Sequence, residues 1–575
     1  MSLGRFAPEK SSISHNKIKT NLRSAGKTGS VAVLGFKLLG VLMNVLKRSL
    51  LGSAAALAAA GSAHAADLPV KKAAPIAYVR VCSAFGAGFF YIPGTDTCLR
   101  ISGRARFEGA YQTSSSRQPG AAGDTSGYRG LARFNLDART QTAYGTLRAF
   151  ARLDAASRTG VIHSGTMLRI GQAYGATGVD EAGRVQQYVN VDKAFIQFAG
   201  LTAGRASSFY DFYAHDFEFY GATSGSDNAS TNLLAYTGTF GNGLSATVSI
   251  EDPVFTRSPV FAPFTNAAAV TPVFVGYTNG VPSRYGNVDT IQRSRLPDFV
   301  GVLRVDQDWG SAQLSAATHE INVGNLSTTP AAGTGGVLTG IPHTNAVQGW
   351  AVQGGVKFNL PSIAPGDTLY LQGAYANGAQ SYAGYCMIAG CYRQSNTGFD
   401  TQKFEQYFAD ASINPFTGQL QTSTSFSAVA SYLHYWSPEW RSALFGSYGE
   451  QDFSAGARLA QGALYSLVSP SSTAVFGSNA VGVPGTRFYQ LSQALRDTYQ
   501  FVLGGSLIWS PVTDLDIGVE AFYTQIGVRS GRVIDADKSP TAYANVAGIN
   551  AGSFVPRTAT QDSMTHVRFR VQRDF

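Results

Sequence analysis

Arginines and acids stand at every second position in several stretches of the sequence. In the first stretch, "LRISGRARFEGAY" at residues 99–111, the polar members are Arg100, Ser102, Arg104, Arg106 and Glu108. Guanidinium groups bind carboxylates and other anions through charged hydrogen bonds, often two at a time. A row of this kind can pair with acids and can attract or orient ions, so its chemistry is electrostatic.

The spacing of these charges predicts β-strands. Successive side chains of a strand point to opposite sides, so every second residue shares a face. The other face of residues 99–111 is apolar, and the pattern recurs in "ARFNLDARTQ" at 132–141 and "TLRAFARLD" at 146–154. A sandwich of two sheets would leave its polar face in open water, where so many arginines opposite acids are not needed. An apolar outer face and an ionic inner face instead indicate a barrel in lipid around water.

Motifs for catalysis and for nucleotide or metal binding are missing from the sequence. There is no G-x-S-x-G and no H-E-x-x-H, because His319 and Glu320 are followed by Val323 where the second histidine would stand. The "AGKT" at residues 25–28 lacks the first glycine of a phosphate loop, since residue 21 is Asn. We therefore expect no enzymatic activity, no cofactor and no metal.

The net charge of +9 does not indicate nucleic-acid binding. Residues 1–48 contain nine Lys or Arg and one acid, Glu9, so nearly all of the excess positive charge lies there. Over the whole chain charged residues make up only 14 %, against roughly 25 % in soluble domains. After residue 65 no apolar run approaches the roughly 18 residues of a membrane helix. A large secreted β protein and an outer-membrane barrel remain.

The N-terminal region has the pattern of an export signal. The stretch "KRSLLGSAAALAAAGSAHA" combines a basic pair, an uncharged apolar run and a small-residue A-x-A ending at Ala65. We predict a targeting region at residues 1–65, with the signal peptide at 43–65 and residues 1–42 ahead of the true start codon. The alternative, a membrane helix across 31–60, is disfavoured by the lysines and the arginine within that range.

Four cysteines form two close pairs, Cys82 with Cys98 and Cys386 with Cys391. An even number in an exported protein indicates disulfides, each closing a short loop. Metal binding would need closer ligand spacing and nearby histidines. We expect residues 66–97 to form a periplasmic N-terminal segment with a disulfide, ahead of a barrel at 98–575.

Turn signals give the number of strands. Seven tight turns separate paired strands, at residues 141–144, 200–201, 241–243, 308–310, 361–366, 437–439 and 510–514. Eight longer stretches rich in Ser, Thr, Asn and Gly lie between those hairpins. Fifteen connections predict sixteen strands, an even number that puts both chain ends on the periplasmic side. Four of the five tryptophans stand beside the short turns, where an interfacial aromatic girdle belongs; they are Trp309, Trp436, Trp440 and Trp509.

Two segments near the mature N-terminus carry a family resemblance. They read "ADLPVKKAAP" and "VCSAFGAGFFYIPGTDTCLRISG", and the second leads directly into the first strand. With the terminal strand they resemble the alphaproteobacterial general porins of the rhizobial type. The resemblance implies a sixteen-stranded transmembrane antiparallel barrel in the outer membrane, usually a homotrimer. It also implies passive diffusion of small hydrophilic solutes and ions.

The resemblance further implies that the third long loop folds into the barrel and that its acids face arginines on the wall. The loop acids would be Asp211, Asp216, Glu218 and Asp227. The wall would consist of Arg104, Arg106, Arg133, Arg139, Arg148, Arg152 and Arg205. Opposed charges would set a transverse field that favours polar solutes. The loop lacks the "PEFGG" of enteric porins, and the alternative is that these arginines only pair with neighbouring acids.

The chain ends in "HVRFRVQRDF", whose alternation predicts a last strand that must close on the first, because an open edge is not tolerated in lipid. The terminal aromatic, Phe575, also resembles the signal by which outer-membrane assembly machinery recognises its substrates. Two other functions stay open: a surface adhesin or structural barrel whose long loops bind a partner, and a channel selective for one solute class.

Overall fold

The computed structural model describes most of the chain after the targeting region. The described residues are 80–113, 125–160, 186–228, 230–263, 270–279, 281–324, 326–327, 344–385, 403, 406–468 and 480–575. The predicted signal peptide and start codon, with the rest of residues 1–65, lie outside them, as do Cys386 and Cys391. No helix among the described residues is long and apolar enough to cross a membrane.

Sixteen long strands of the described residues pair antiparallel with their neighbours and close on themselves. In chain order they are β1 Cys98–Gln112, β2 Ser126–Thr142, β3 Gly145–Gly160, β4 Gln186–Phe198, β5 Leu201–Ala206, β6 Thr231–Gly241, β7 Leu244–Glu251, β8 Asp298–Gln307, β9 Gly310–Ile321, β10 Val347–Asn359, β11 Thr368–Asn377, β12 Thr424–Tyr435, β13 Trp440–Asp452, β14 Thr498–Val512, β15 Leu515–Val528 and β16 Gln561–Asp574. The predicted all-β, sixteen-stranded barrel is confirmed.

The first and last strands close the barrel. Their register pairs Arg104 with Asp574 and Gln112 with His566 at the two ends of the ladder. Beyond β16, the backbone of Phe575 accepts a hydrogen bond from Gly103 N–H (2.8 Å) and donates one to Gly103 C=O (3.1 Å). The C-terminal residue therefore takes part in the ladder, and the barrel has no unpaired edge there.

The two faces of the wall differ as the alternation predicts. In β1 the outward Ile101 and Phe107 are 54 % and 46 % exposed, whereas the inward Glu108 is fully buried. Ion pairs and hydrogen bonds between polar side chains cover the inner face of β1 to β4, and apolar side chains cover the outer face. The result is an apolar exterior around a polar interior.

Short turns join the strands at one end of the barrel and long connections join them at the other. The β6–β7 turn has Asn242 and Gly243 in the left-handed region (φ 49° and 73°), which is the type I′ turn that suits the twist of a hairpin. The four tryptophans next to short turns lie at this end, and Trp350 lies near the opposite end of β10. All seven predicted tight turns are present.

The long connections and the N-terminal segment carry short elements of their own. Further strands are Phe90–Tyr91, Val260–Phe261, Val270–Thr278, Val281–Asp289, Leu326–Ser327, Ala411–Ile413, Leu420–Thr422, Val533–Ile534 and Thr558–Ala559. The α-helices are Ala457–Val468, Arg487–Leu491 and Val546–Ala551. The 3₁₀-helices are Ser83–Phe85, Pro253–Phe255, Gln380–Ala383 and Ala542–Ala544. Clusters of buried apolar residues pack these connections against one another.

The N-terminal segment is fastened to the short-turn end. A disulfide joins Cys82 to Cys98, as the sequence predicts, and strand Phe90–Tyr91 pairs with the start of β1. The rings of Phe85 and Phe89 lie 5.9 and 5.0 Å from the Arg139 guanidinium. Because Arg139 points into the barrel, this segment borders the short-turn mouth of the lumen.

Candidate functional site

The connection from β5 to β6, residues 207–230 and hereafter loop 3, folds into the barrel. Its backbone and side chains bond to the inner faces of strands on the opposite wall. Gln353 Nε2 of β10 donates to Tyr210 C=O (2.9 Å), and the Tyr213 hydroxyl donates to Ser431 Oγ of β12 (2.8 Å). Several buried rings pack at the same contact, including Tyr213 and Tyr370, whose centres are 5.1 Å apart. In the structure, loop 3 therefore lies inside the barrel, against the inner faces of β10 and β12.

One buried carboxylate anchors the middle of loop 3 to β15. Glu520 is fully buried, and it accepts hydrogen bonds from Phe219 N–H (2.5 Å) and Tyr220 N–H (2.9 Å). Arg570 of β16 donates to Phe219 C=O (2.7 Å). Charged hydrogen bonds of this kind are stronger than neutral ones. The middle of loop 3 is thus held against the wall at the level of Glu520 along the barrel axis.

A polar cavity of about 660 Å³ separates loop 3 from the wall formed by β1 to β4 and β13 to β16. Its cationic members are Arg104, Arg106, Arg133, Arg152, Lys193, Arg441 and Arg570. Its acidic members are Asp154, Asp192, Asp216, Glu218, Asp227 and Asp516. The arginines stand on the wall, and three of the acids stand on loop 3. Opposite charges therefore face each other across the cavity.

The wall arginines are held in place by partners on neighbouring strands. Arg133 forms two 2.7 Å hydrogen bonds to Asp154, and Arg104 Nε lies 2.6 Å from Asp574 Oδ1. Arg106 instead donates to the neutral Gln572 (2.6 and 2.9 Å). These contacts fix the guanidinium groups, and the positive charge of Arg106 is less compensated, because its carboxylate neighbour Glu108 is 4.0 Å away.

The four predicted loop acids differ in position. Asp216 and Asp227 line the cavity, and Asp216 accepts a hydrogen bond from the Tyr370 hydroxyl (2.9 Å). Glu218 also borders the cavity, but its carboxylate accepts hydrogen bonds within the loop, from Ala222 N–H (2.6 Å) among others. Asp211 does not border the cavity, because its carboxylate is turned towards Asn228 N–H (2.8 Å) and the Ser226 hydroxyl (2.5 Å).

Three of the seven predicted wall arginines do not reach the cavity. Arg139 and Arg148 both bind Asp137 nearer the short-turn end, with nitrogen–oxygen distances of 2.8 to 3.0 Å. Arg205 differs more from the expectation, because the ladder places it opposite Ala194 and Asn232, on the outward side of β5. It shares this side with Leu201, four residues earlier, since alternate residues of a strand share a face.

Six charged residues of the cavity are not among the predicted site residues: Asp154, Asp192, Lys193, Arg441, Asp516 and Arg570. Asp192 and Lys193 are neighbours in β4 and both line the cavity, because a bulge shifts the register so that Arg152 pairs with Lys193 and Leu153 with Val191. The extra residue of the bulge shifts the alternation by one, so strict alternation continued from the exposed Val189 and Val191 would wrongly place Lys193 on the outer face. Arg441 and Asp516 form a 2.6 Å ion pair across β13 and β15. Alternation in their own strands would have found both.

His215 of loop 3 adds a titratable group to the acidic side. It is buried, with Nδ1 at 3.5 Å from Asp227 Oδ2 and Nε2 at 2.8 Å from Thr223 C=O. Burial lowers the pKa of His215, but Glu218 and Asp227 outweigh burial and raise it to about 9. At pH 7 the imidazole is therefore protonated, and its charge offsets part of the negative charge of Asp227. Partial burial raises the pKa of Asp216.

Because the resemblance to porins implies passage of ions, we predict that the ion selectivity of the protein in planar bilayers changes as the pH rises through about 9. Above its pKa His215 is neutral, so the charge of Asp227 is no longer offset and the preference for cations increases. The measurement is the reversal potential in a salt gradient at pH 8 and pH 10. His215→Gln has no such proton to lose. The contribution of His215 is therefore the pH-dependent shift in reversal potential of the unmodified protein minus that of the variant. Equal pH dependence in both would contradict the assignment.

Comparisons with known proteins agree with this architecture. The family model described as "Porin subfamily" matches residues 67–555. The chain is 34 % identical to porin Omp2b of Brucella suis over 278 residues, which is 47 % of this chain and 64 % of that protein's length. It is 31 % identical to porin Omp2b of Brucella neotomae over 366 residues, 60 % of this chain and 78 % of that protein.

Among solved structures, the outer membrane channel DcaP of Acinetobacter baumannii aligns with 84 % of this chain and 99 % of its own, at 11 % identity and a TM-score of 0.45. The family model matches most of the chain, and the identities to the two Omp2b porins agree with it, so the family can be assigned. The chain belongs to the porin subfamily and is an outer-membrane β-barrel protein.

Proposed function

We propose that this protein is a passive channel through which small hydrophilic solutes and ions cross the outer membrane. The observation that carries the proposal is the polar cavity between loop 3 and the arginine wall, inside a closed barrel. A sixteen-stranded barrel is too wide for its own side chains to fill. Loop 3 narrows the lumen, and solutes then pass between the two charged surfaces.

Size and charge would both select solutes in such a channel. The fixed hydrogen bonds of loop 3 set the width of the passage, because the loop can widen it only by breaking them. At 0.15 M salt the screening length is about 8 Å, so charges lining the passage act on an ion inside it. Water and polar solutes are oriented by the transverse field, whereas apolar solutes gain nothing from it.

Insertion into planar bilayers tests the function. The purified full-length protein is expected to produce stepwise increases in current, and liposomes that contain it are expected to admit small sugars. A membrane that stays silent after insertion would contradict the proposal and would favour a surface adhesin. Flux that saturates and is blocked by a single solute would indicate a selective channel instead.

We predict unequal effects for the loop acids. Asp216→Asn and Asp227→Asn each remove a negative charge from the cavity, so each should lower the cation-to-anion permeability ratio, by up to about fivefold if the charge acts through about 1 kcal/mol at close range. Asp211→Asn is the matched control, because its carboxylate bonds within the loop. Reversal potentials in a salt gradient give the ratio. A larger shift for Asp211→Asn than for the other two would contradict this account.

Family membership supports a homotrimer, and we include it in the proposal. The paired backbone of Phe575 supports a role for this residue in closing the barrel. We propose in addition that the terminal aromatic is read by the outer-membrane assembly machinery. Deletion of Phe575 should then lower the amount of folded protein in the outer membrane, whereas the conductance of the molecules that do assemble stays unchanged.

A further inference from the structure

A histidine and two aspartates form a buried cluster at the extracellular end of β8 and β9, and none of the three lines the polar cavity. His319 of β9 is 1 % exposed, and Asp298 of β8 and Asp410 are fully buried. The Nδ1 atom of His319 lies 2.9 Å from Asp298 Oδ1, and its Nε2 atom lies 3.6 Å from Asp410 Oδ2. Asp410 belongs to the long connection between β11 and β12, so the cluster joins the wall of the barrel to that connection.

The two buried carboxylates also hold a short segment of the same connection, residues 379–385, hereafter called the strap. Asp298 Oδ2 accepts a hydrogen bond from the Tyr382 hydroxyl (2.7 Å), and Asp410 Oδ1 accepts one from Gln380 N–H (2.9 Å). The connection between β7 and β8 contributes the Thr256 hydroxyl, which also donates to Asp298 Oδ2 (2.7 Å). Burying a carboxylate is costly unless it is hydrogen-bonded, so these donors and acceptors keep each other in place. The strap is thereby fastened to the wall.

The strap packs directly on loop 3. The ring centre of Tyr382 lies 4.7 Å from that of Tyr210, and both side chains are fully buried. Gly384 has a φ of 81°, and a Cβ built on it would collide with the backbone carbonyl of Ser224. Tyr210 stands near the beginning of loop 3 and Ser224 in its second half. The strap therefore contacts loop 3 at two separate places.

We propose that the strap positions loop 3, and that the cluster of Asp298, His319 and Asp410 is the fastening that keeps the strap in place. Glu520 holds the middle of loop 3 against β15, whereas the strap holds its two flanks. Because the strap belongs to an extracellular connection and not to the wall, it can be released while the barrel stays closed. The width of the passage then depends on that connection. The effect on conductance rests on the function proposed above, but the effect on loop 3 does not.

The alternative is that the wall alone holds this part of loop 3. Gln353 Nε2 and the Ser315 hydroxyl both donate to Tyr210 C=O, at 2.9 Å each. These bonds fix one backbone carbonyl, but they do not cover the Tyr210 ring. The two tyrosine rings exclude water from each other only while the strap is in place. The strap therefore adds a contribution that the wall bonds do not replace.

Hydrogen–deuterium exchange of the full-length protein in detergent micelles tests the proposal, with peptides from residues 207–230 as the readout. Tyr382→Ala removes the ring that covers Tyr210 and the hydroxyl that binds Asp298. Asp410→Asn keeps the shape of the side chain, but it places an NH₂ group where one of the carboxylate oxygens accepts a backbone hydrogen bond. Exchange in loop 3 should become about tenfold faster or more in both variants, as expected from the loss of one hydrogen bond to a charged group.

Matched controls make the same changes in other extracellular connections. Tyr465→Ala removes a buried tyrosine that packs with Phe488 and Ile534, away from loop 3. Asp535→Asn changes a buried aspartate that accepts a hydrogen bond from Lys538 N–H (2.9 Å). Both controls should leave exchange in loop 3 as it is in the unmodified protein. All variants should keep the heat-dependent gel mobility of a folded barrel.

Tyr382→Phe is the milder variant, and it decides the question if Tyr382→Ala does not fold. It removes only the hydroxyl that binds Asp298, so exchange in loop 3 should still rise severalfold. Unchanged exchange of loop 3 in the folded strap variants, or an equal rise in the controls, would overturn the proposal.

Planar bilayers test the link to the passage. The strap variants should show higher single-channel conductance than the controls, and faster exchange with unchanged conductance would overturn that link. If the unmodified protein carries no current, the function proposed above fails, and the exchange measurement still decides the role of the strap.

Discussion

Glu108→Gln is expected to lower the free energy of unfolding of the barrel by about 3–5 kcal/mol, the usual cost of breaking a buried ion pair from one side. Glu108 is fully buried on β1. It binds Arg129 of β2 (Nε to Oε2, 2.5 Å) and Arg570 of β16 (2.6 Å), with Arg568 at 3.6 Å and Arg106 at 4.0 Å. Glutamine keeps the shape but leaves four guanidinium groups without their shared anion.

The position of Glu108 makes this cost specific to barrel closure. It lies in the first strand and binds the last strand, so its loss weakens the seam at which β1 and β16 meet. Unfolding in urea from detergent micelles measures the difference. Asp306→Asn is the matched control, because the Arg304–Asp306 pair is exposed on both sides and such pairs contribute about 0–1 kcal/mol. Equal effects of the two substitutions would show that Glu108 is not the anchor of the seam.

Glu520→Ala is expected to free the middle of loop 3 from the wall. The substitution removes two charged hydrogen bonds, to Phe219 N–H and Tyr220 N–H, each of which contributes roughly 1.5–3 kcal/mol. The equilibrium ratio of released loop to wall-bound loop should then rise by roughly a hundredfold or more. We expect higher single-channel conductance, greater current noise and faster uptake of larger sugars by liposomes.

The control for this loop variant is Glu450→Ala. Glu450 lies near the extracellular end of β13, where it accepts a hydrogen bond from Tyr448 (2.6 Å), and it takes no part in holding loop 3 in the structure described. Its loss should leave conductance unchanged. Unchanged conductance and solute size limit in Glu520→Ala would mean that loop 3 is held without this carboxylate, or that current does not pass beside it.

The fold could be predicted from the sequence because its controlling patterns are local. The alternation in β1 to β3 indicates which face meets lipid, and the number of tight turns gives the number of hairpins. Even the closing strand is visible, since "HVRFRVQRDF" alternates throughout except at Arg573, which falls on the outer face. A membrane barrel must satisfy every backbone group within its own sheet. That requirement leaves few architectures for sixteen such strands.

The site was harder to predict because its geometry depends on contacts between distant residues. Asp211 and Asp216 are both acids of loop 3, yet only hydrogen bonds from Asn228 and Tyr370 decide which of them borders the cavity. The inward position of Lys193 follows from a bulge, which interrupts the strict alternation used to assign inward residues. Arg205 was assigned to the wall by resemblance, whereas the ladder places it on the outer side. Alternation gives the side of the wall on which a strand residue lies, but the acids of loop 3 that border the cavity are decided by contacts with distant residues.

Blocking the cavity directly tests whether ions pass between loop 3 and the arginine wall. Asp227→Cys places a thiol in the cavity, and Asp308→Cys places one in the short β8–β9 turn. Single-channel conductance is measured before and after a bulky charged methanethiosulfonate is added, with the unmodified protein treated alike to account for its own cysteines. The account predicts a large fall in conductance for Asp227→Cys and none for Asp308→Cys or the unmodified protein. Undiminished conductance in fully labelled Asp227→Cys would contradict it.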